Sequence, residues 1–189
     1  MIIIFRKKEI IVRREPFNLI ITHYPGYDNF VVAREQIKNI IENIRIVDTS
    51  QSIILAIVDE PYATIEKIKS LELKETPILR IIPVDRVTDI FVDRVKEVIH
   101  ELFNTKVKKE ETFKIKLDGH LYKRQEGSIE KIHKDEAIKI LAEGLENPVN
   151  LKSPSWLVYV KTLRMYKATE LASITVTKPE NIISLAPKE

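Results

Sequence analysis

No cysteine occurs in the 189 residues. That excludes disulfides, thiolate nucleophiles and any zinc or iron–sulfur centre held by cysteine. Glycine is nearly as scarce: Gly26, Gly119, Gly127 and Gly144 are the only four. None belongs to a G-x-G-x-x-G or G-x-x-x-x-G-K run, so a nucleotide-fold phosphate loop is missing and no cofactor is expected. The four histidines, His23, His100, His120 and His133, contain no pair at metal-ligand spacing, and no metal is expected. Long apolar runs are also lacking. The opening MIIIF is interrupted at once by RKKE, far short of the roughly 20 residues a membrane helix needs. A secretory leader would place its positive charges before the apolar residues, not after them. A cytoplasmic chain with no membrane partner is expected. Charge of one sign is lacking too: 31 basic and 28 acidic residues leave a net +3. This excludes a polybasic tail, so a nucleic-acid surface would have to be a local patch on a mixed background.

The chain has 44% hydrophobic and 31% charged residues, the balance of a soluble globular protein. Its length suits one large domain or two small ones. MIIIF and EIIVRR read as short strands at the start. NLIITHY reads as a strand, and NFVVAREQIKNIIENI as a helix with apolar residues at Phe30, Ala33, Ile37, Ile40, Ile41 and Ile44, capped by Asn29. IRIVDT and SIILAIVD follow as strands. EPYATIEKIKSLEL is a helix with Pro61 in its first turn, and TPILRIIPV is a further strand. The order β-α-β-β-α-β is the split βαβ arrangement of a ferredoxin-like domain.

The order changes after residue 84. VTDIFVDRVKEVIHELFNT reads as helix, with Val92 a candidate point of division into two pieces. ETFKIKLDG reads as a strand with Phe113, Ile115 and Leu117 on one side and Lys114 and Lys116 on the other. SIEKIHKDEAIKILAEGL reads as a helix with Ser128 as a possible cap and Gly144 as its stop. PVNL is a short strand, and PSWLVYVKTL and KATELASITVT are two antiparallel ones. The fold class is therefore α+β, with residues 1–84 as an N-terminal extension and ferredoxin-like domain, 85–178 as a second domain, and 179–189 as a loosely held tail. IIPVDRVTD offers no flexible linker, so the halves are expected to pack together.

One stretch stands apart. Between Asn104 and Lys134, nine Lys or Arg face five acids, an excess of +4 that exceeds that of the whole chain. Lys108 and Lys109 precede the strand, Lys114 and Lys116 share one of its faces, and Gly119 turns the chain. His120, Tyr122, Lys123 and Arg124 then lead to the expected helix start, where backbone N–H groups attract phosphate. Strand face, crossing and helix N-terminus could together bind an anion, with Tyr122 free to stack on a base. Lys152 and Ser153 approach the only tryptophan, Trp156, and could touch phosphate. Trp156 itself is either core or contact. Carboxylates give no comparable signal: Asp59 with Glu60, and Asp85 with Asp89 and Asp93, read as capping and charge patterning. An enzyme site near Asp85, Asp89 and His120 is one alternative to an RNA surface. A basic face that meets an acidic protein partner is another.

Those residues also carry a resemblance. The run from Val87 to Thr177, with ETFKI, the basic crossing, a helix ending in AEGL, the strand LKSPSWLVYV and the closing ASITV, resembles a THUMP domain, a tRNA-recognising module. Ser155 stands where the family's signature has an acidic residue before the tryptophan. Residues 17 to 84, ending in RIIPV, resemble the ferredoxin-like domain that precedes THUMP. The resemblance implies tRNA as partner, engaged at its acceptor stem and 3′ CCA end through Lys114, Lys116, Tyr122, Lys123, Arg124 and Lys152. Catalytic members carry a separate catalytic domain, which is not seen in these 189 residues, so no catalytic residue and no enzyme activity are expected. The chain resembles stand-alone members that act as adaptors for tRNA cytidine acetylation. An RNA acetyltransferase that makes N4-acetylcytidine is the partner this implies.

Overall fold

The computed structural model describes residues 14–187. The expected strands in MIIIF and EIIVRR fall outside them, apart from Arg14. The first half runs β1 (Leu19–His23), α1 (Tyr27–Ile40), β2 (Arg45–Ser50), β3 (Ile53–Ile57), α2 (Pro61–Lys69) and β4 (Ile78–Pro83). Its strands lie in the order β4-β1-β3-β2 with antiparallel neighbours, the split βαβ arrangement that the apolar periodicity predicts. α1 begins earlier than expected. Gly26, at φ +117, occupies the cap, and Asn29 lies within the helix with its side chain donating to the Pro25 carbonyl. Strand alternation divides the sheet into two apolar faces. Leu19, Ile21, Ile54, Ala56 and Ile81 pack on Ala33 and Ile37 of α1 and Ile65 and Ile68 of α2. Ile20, Leu55 and Ile82 point the other way.

The second half runs β5 (Arg86–Thr88), α3 (Val92–Lys106), β6 (Phe113–Asp118), β7 (Tyr122–Gln125), β8 (Ser128–Lys131), α4 (Lys134–Ala142), β9 (Trp156–Met165) and β10 (Thr169–Thr177). Its sheet has the order β5-β10-β9-β6, with β6 parallel to β9 and the other pairs antiparallel. The helix expected from Val87 starts only at Val92, because Arg86–Thr88 pair with β10 first. The helix expected from Ser128 is corrected more sharply. Residues 122–131 form the two-stranded hairpin β7–β8, and the helix begins at Lys134. The cause is a two-residue turn: Glu126 and Gly127 both have positive φ, +46 and +83, as a type I′ hairpin turn requires. Ser128 is thus no helix cap; its hydroxyl donates to the Gln125 carbonyl. PVNL forms only an isolated bridge, Val149 with Phe113.

Four layers result: helices α1 and α2, the first sheet, the second sheet, and helices α3 and α4. The outer face of the second sheet buries Phe113, Ile115, Leu117, Val158, Val160 and Ile174 against Val95, Ile99, Ala137 and Leu141 of the helices. Its inner face places Val87, Tyr159, Leu163 and Met165 against Ile20, Leu55 and Ile82 of the first sheet. This apolar seam joins the halves. It is reinforced at the junction, where Asp85 accepts from the Lys106 ammonium at 2.8 Å, the Tyr62 hydroxyl at 2.7 Å and the Val176 N–H at 2.7 Å. The stretch after Lys178 also returns to the first half. A 3-10 turn at Pro179–Asn181 leads to β11 (Ile183–Ser184), which pairs with the free side of β4. Ile183 and Leu185 are the reason, since both pack on the α1–α2 core.

The turn out of β6 is tightly built. Gly119 has φ +110, and a Cβ there would lie 1.8 Å from the Thr162 hydroxyl oxygen, an atom that also accepts from the His120 N–H. Gly119→Ala is expected to cost about 2 kcal/mol through forced backbone strain and overlap. Urea unfolding at equilibrium measures that loss, and an unchanged midpoint would contradict this packing.

Candidate nucleic-acid interface

β6 is the edge strand of its sheet, bridged on its outer side at Phe113 by Val149. Phe113, Ile115 and Leu117 are buried, while Lys114 is half-buried and Lys116 is exposed. Alternation therefore delivers the two lysines to one face, as the sequence implies. Among the described residues, neither has a carboxylate within ion-pairing distance. The Lys116 ammonium lies 5.4 Å from the Tyr159 ring centre. Partial burial and then the charge of Arg80 lower its pKa from the usual lysine value. Asp118 opposes that shift, and Lys114 and Lys134 add to it.

The remaining expected contacts lie at the two ends of this strand. At its start, Lys108, Lys109, Lys152 and Ser153 are all exposed. Their loops are tied together: the Asn147 side chain donates to the Lys108 and Glu111 carbonyls. Asn150 Oδ1 accepts from the backbone N–H groups of Lys152 and Ser153. Those two N–H groups are therefore committed, and only the side chains face outward. Trp156 belongs to the same knot. Its indole N–H donates to Glu111 at 2.8 Å, and Lys178 lies 4.5 Å from its ring centre. The Glu111 carboxyl is held below the usual range first by the Lys108 N–H, then by the Trp156 indole and by Lys178. This arrangement favours packing over contact for Trp156. Trp156→Phe is expected to lower Tm while leaving RNA affinity unchanged within about twofold, since the bond it removes lies inside the loop knot. A filter-binding titration beside a thermal melt separates the two outcomes.

At the far end, the crossing residues are not where the sequence places them. Tyr122, Lys123 and Arg124 sit on β7, not at a helix N-terminus. The Arg124 guanidinium stacks 4.2 Å from the centre of the Phe91 ring and stays exposed. Lys123 is shared between Glu130 at 3.9 Å and Glu136 at 3.6 Å, which partly neutralises it. α4 itself carries Asp135 and Glu136 in its first turn; these already answer its positive dipole end and oppose a phosphate there. His120 and Tyr122 line a small open pocket with Ile90, Thr162, Leu163, Arg164 and Glu170. Arg164 and Glu170 pair within it at 3.2 Å. One end of the surface is thus an aromatic and imidazole pocket, and the other is a cluster of exposed lysines.

The acids weighed for catalysis have structural partners. Asp85 is committed to the junction. Asp89 Oδ1 accepts the Phe91 N–H just ahead of α3. Burial, followed by the Asp85 charge, pushes the Tyr62 phenol far above its ordinary value.

Sequence reasoning missed Arg80. It reads as part of the buried strand ILRIIP, yet it faces the seam beside Tyr159. Asp118 and Lys161 share this region, paired at 2.7 Å, and the Tyr159 hydroxyl also donates to Asp118, at 3.1 Å. Burial would raise the Asp118 carboxyl. The Lys161 hydrogen bond and charge outweigh that and hold it below the usual range. Burial and then the Asp118 charge push the Tyr159 phenol up to about 12. Among the described residues, no helix is long and apolar enough to cross a membrane.

No family model matches the sequence, and no curated protein matches it. Solved structures do match in fold. PH1313 from Pyrococcus horikoshii aligns with TM-score 0.50 at 10% identity, covering 86% of this chain and 55% of that one. A 4-thiouridine synthetase, solved as an RNA complex with bound ATP, aligns with TM-score 0.52 at 13% identity, covering 86% of this chain and 42% of that one. TrmN from Thermus thermophilus aligns with TM-score 0.48 at 15% identity, covering 86% and 46%. The chain spans about half the length of these neighbours. The first two likenesses extend over both halves and are likenesses of fold. The architecture is α+β: a ferredoxin-like half packed against a THUMP-type half.

Proposed function

We propose that this chain is a non-catalytic tRNA-binding module that engages the acceptor stem and 3′ end and presents tRNA to a modifying enzyme. The observation that carries this reading is the row of cations along the edge strand β6, which have no carboxylate at pairing distance among the described residues. It lies on a fold shared with a synthetase that has been solved in complex with RNA. A-form RNA hides its major-groove base edges, so recognition depends on shape, phosphates and 2′-hydroxyls. Lys114 and Lys116 meet the backbone mid-surface, and Lys108, Lys109 and Lys152 extend the row at the start of β6. At the hairpin end, Arg124 adds charge, and the pocket of His120 and Tyr122 offers a ring to an unstacked base.

The enzyme served is, on this reading, an RNA cytidine acetyltransferase. The support is the sequence resemblance to the adaptors of that reaction. Adding the chain to such an enzyme with tRNA should raise formation of N4-acetylcytidine, measured by nucleoside mass spectrometry. Equal product with and without the chain, while tRNA binding persists, would remove this enzyme as the partner and leave the binding module.

A further inference from the structure

We infer that the seam between the two sheets is a phosphate site shared by both halves, with Arg80 of β4 completing the row that Lys114 and Lys116 of β6 begin. This deepens, and rests on, the RNA-binding reading. Arg80 shares a face with Ile82, and its register partner Thr22 lines the same cleft. That cleft, between Arg80, Tyr159, Asp118 and Lys161, holds about 260 Å³. It falls below the roughly 300–1,000 Å³ of small-molecule sites but has room for a phosphate group.

The charge arrangement argues for a ligand. Lysines on an edge strand have a simpler use, which is to block pairing with another sheet. One charge suffices for that, and it needs no cations from elsewhere in the fold. Here Arg80 comes from the other half and Lys134 from the start of α4; after burial, the larger cause, the charge of Arg80 and to a lesser extent that of Lys134 lower the proton affinity of Lys116. Among the described residues, Arg80, Lys114, Lys116 and Lys134 have no carboxylate within ion-pairing distance. Asp118, the acid in the cleft, is committed to Lys161 and Tyr159. Like charges held together without counterions raise the energy of the free protein, and a bound polyanion relieves it. Tyr159 supplies the floor, with Lys116 over its ring and Arg80 at its hydroxyl. A chain of phosphates laid along β6 would therefore cross onto the first half at Arg80.

The test compares the intact chain with Arg80→Gln and Arg80→Lys, using full-length tRNA and inorganic tripolyphosphate as separate probes in calorimetric titrations at several salt concentrations. Arg80→Gln is expected to weaken both probes about tenfold and to reduce the salt slope for tRNA by about one. Arg80→Lys should recover most of the affinity, which a packing defect would not allow. If tRNA and tripolyphosphate bind Arg80→Gln as they bind the parent, the seam site is wrong and the RNA reading stands. If tripolyphosphate binds in an Arg80-dependent way but tRNA does not bind, the seam stands and the RNA reading falls. Binding of neither probe overturns both.

Discussion

Replacing Lys114 and Lys116 together with glutamine is expected to weaken tRNA binding about 100-fold at low salt, from about 1.5 kcal/mol for each charge-assisted hydrogen bond to phosphate. The salt dependence should flatten as well, by about 0.9 in the log–log slope for each phosphate no longer neutralised. These two lysines rank above the others for a structural reason. They project from a strand pinned between Val158 and Val160 on one side and the helix core beneath, so little ordering entropy opposes their binding to phosphate. Lys123 must first leave Glu130 and Glu136, and its replacement should matter less. Filter binding of the double variant against the parent, with circular dichroism to confirm the fold, decides the matter. Equal affinity and equal slope would remove β6 from the RNA surface.

Lys106→Met is expected to destabilise the chain by about 3 kcal/mol, the cost of leaving a buried carboxylate without its cation. Asp85 is only 8% exposed in its side chain, whereas Lys106 keeps 27%, which places the expected loss at the low end for such pairs. The same ammonium donates to the Val176 carbonyl at 2.9 Å and lies 4.8 Å from the centre of the Tyr62 ring. One substitution therefore loosens α2, α3 and β10 together, at the point where the halves join. Urea denaturation measures the loss. A change under about 0.5 kcal/mol, the size of a surface pair, would mean that the junction does not depend on this ion pair. Asp85→Asn with Lys106→Met should be milder than Lys106→Met alone, because the stranded charge is then gone.

How much could be read in advance follows from how local each signal is. The split βαβ half was legible because Phe30, Ala33, Ile37, Ile65 and Ile68 recur at helical spacing between apolar strands. The strand face of Lys114 and Lys116 was legible for the same reason, with a period of two. The β7–β8 hairpin was not, because every residue of β8 is exposed and the stretch carries no apolar rhythm. Its one signal was the Glu126–Gly127 pair, suited to a two-residue turn. β11 went unread because two residues pairing with a strand about a hundred positions earlier leave no local pattern. Charge pairing is equally non-local. The sequence shows that Lys116 and Lys123 are both cationic. Only the fold shows that Lys123 has two acids beside it, while Lys116 has none at pairing distance among the described residues. Arg80 lies deepest in this blind spot. It sits 36 residues before Lys116 in a strand that reads as core, and only the packing of one sheet on the other brings the two together.

The most direct test of RNA binding is the affinity of the purified chain for full-length tRNA, and for tRNA trimmed of its CCA end, across a series of salt concentrations. The account predicts affinity that falls steeply and linearly in log–log form as salt rises, consistent with several phosphate contacts. It also predicts a further weakening on trimming. Absence of tRNA binding at low salt, or binding indifferent to salt, would contradict it.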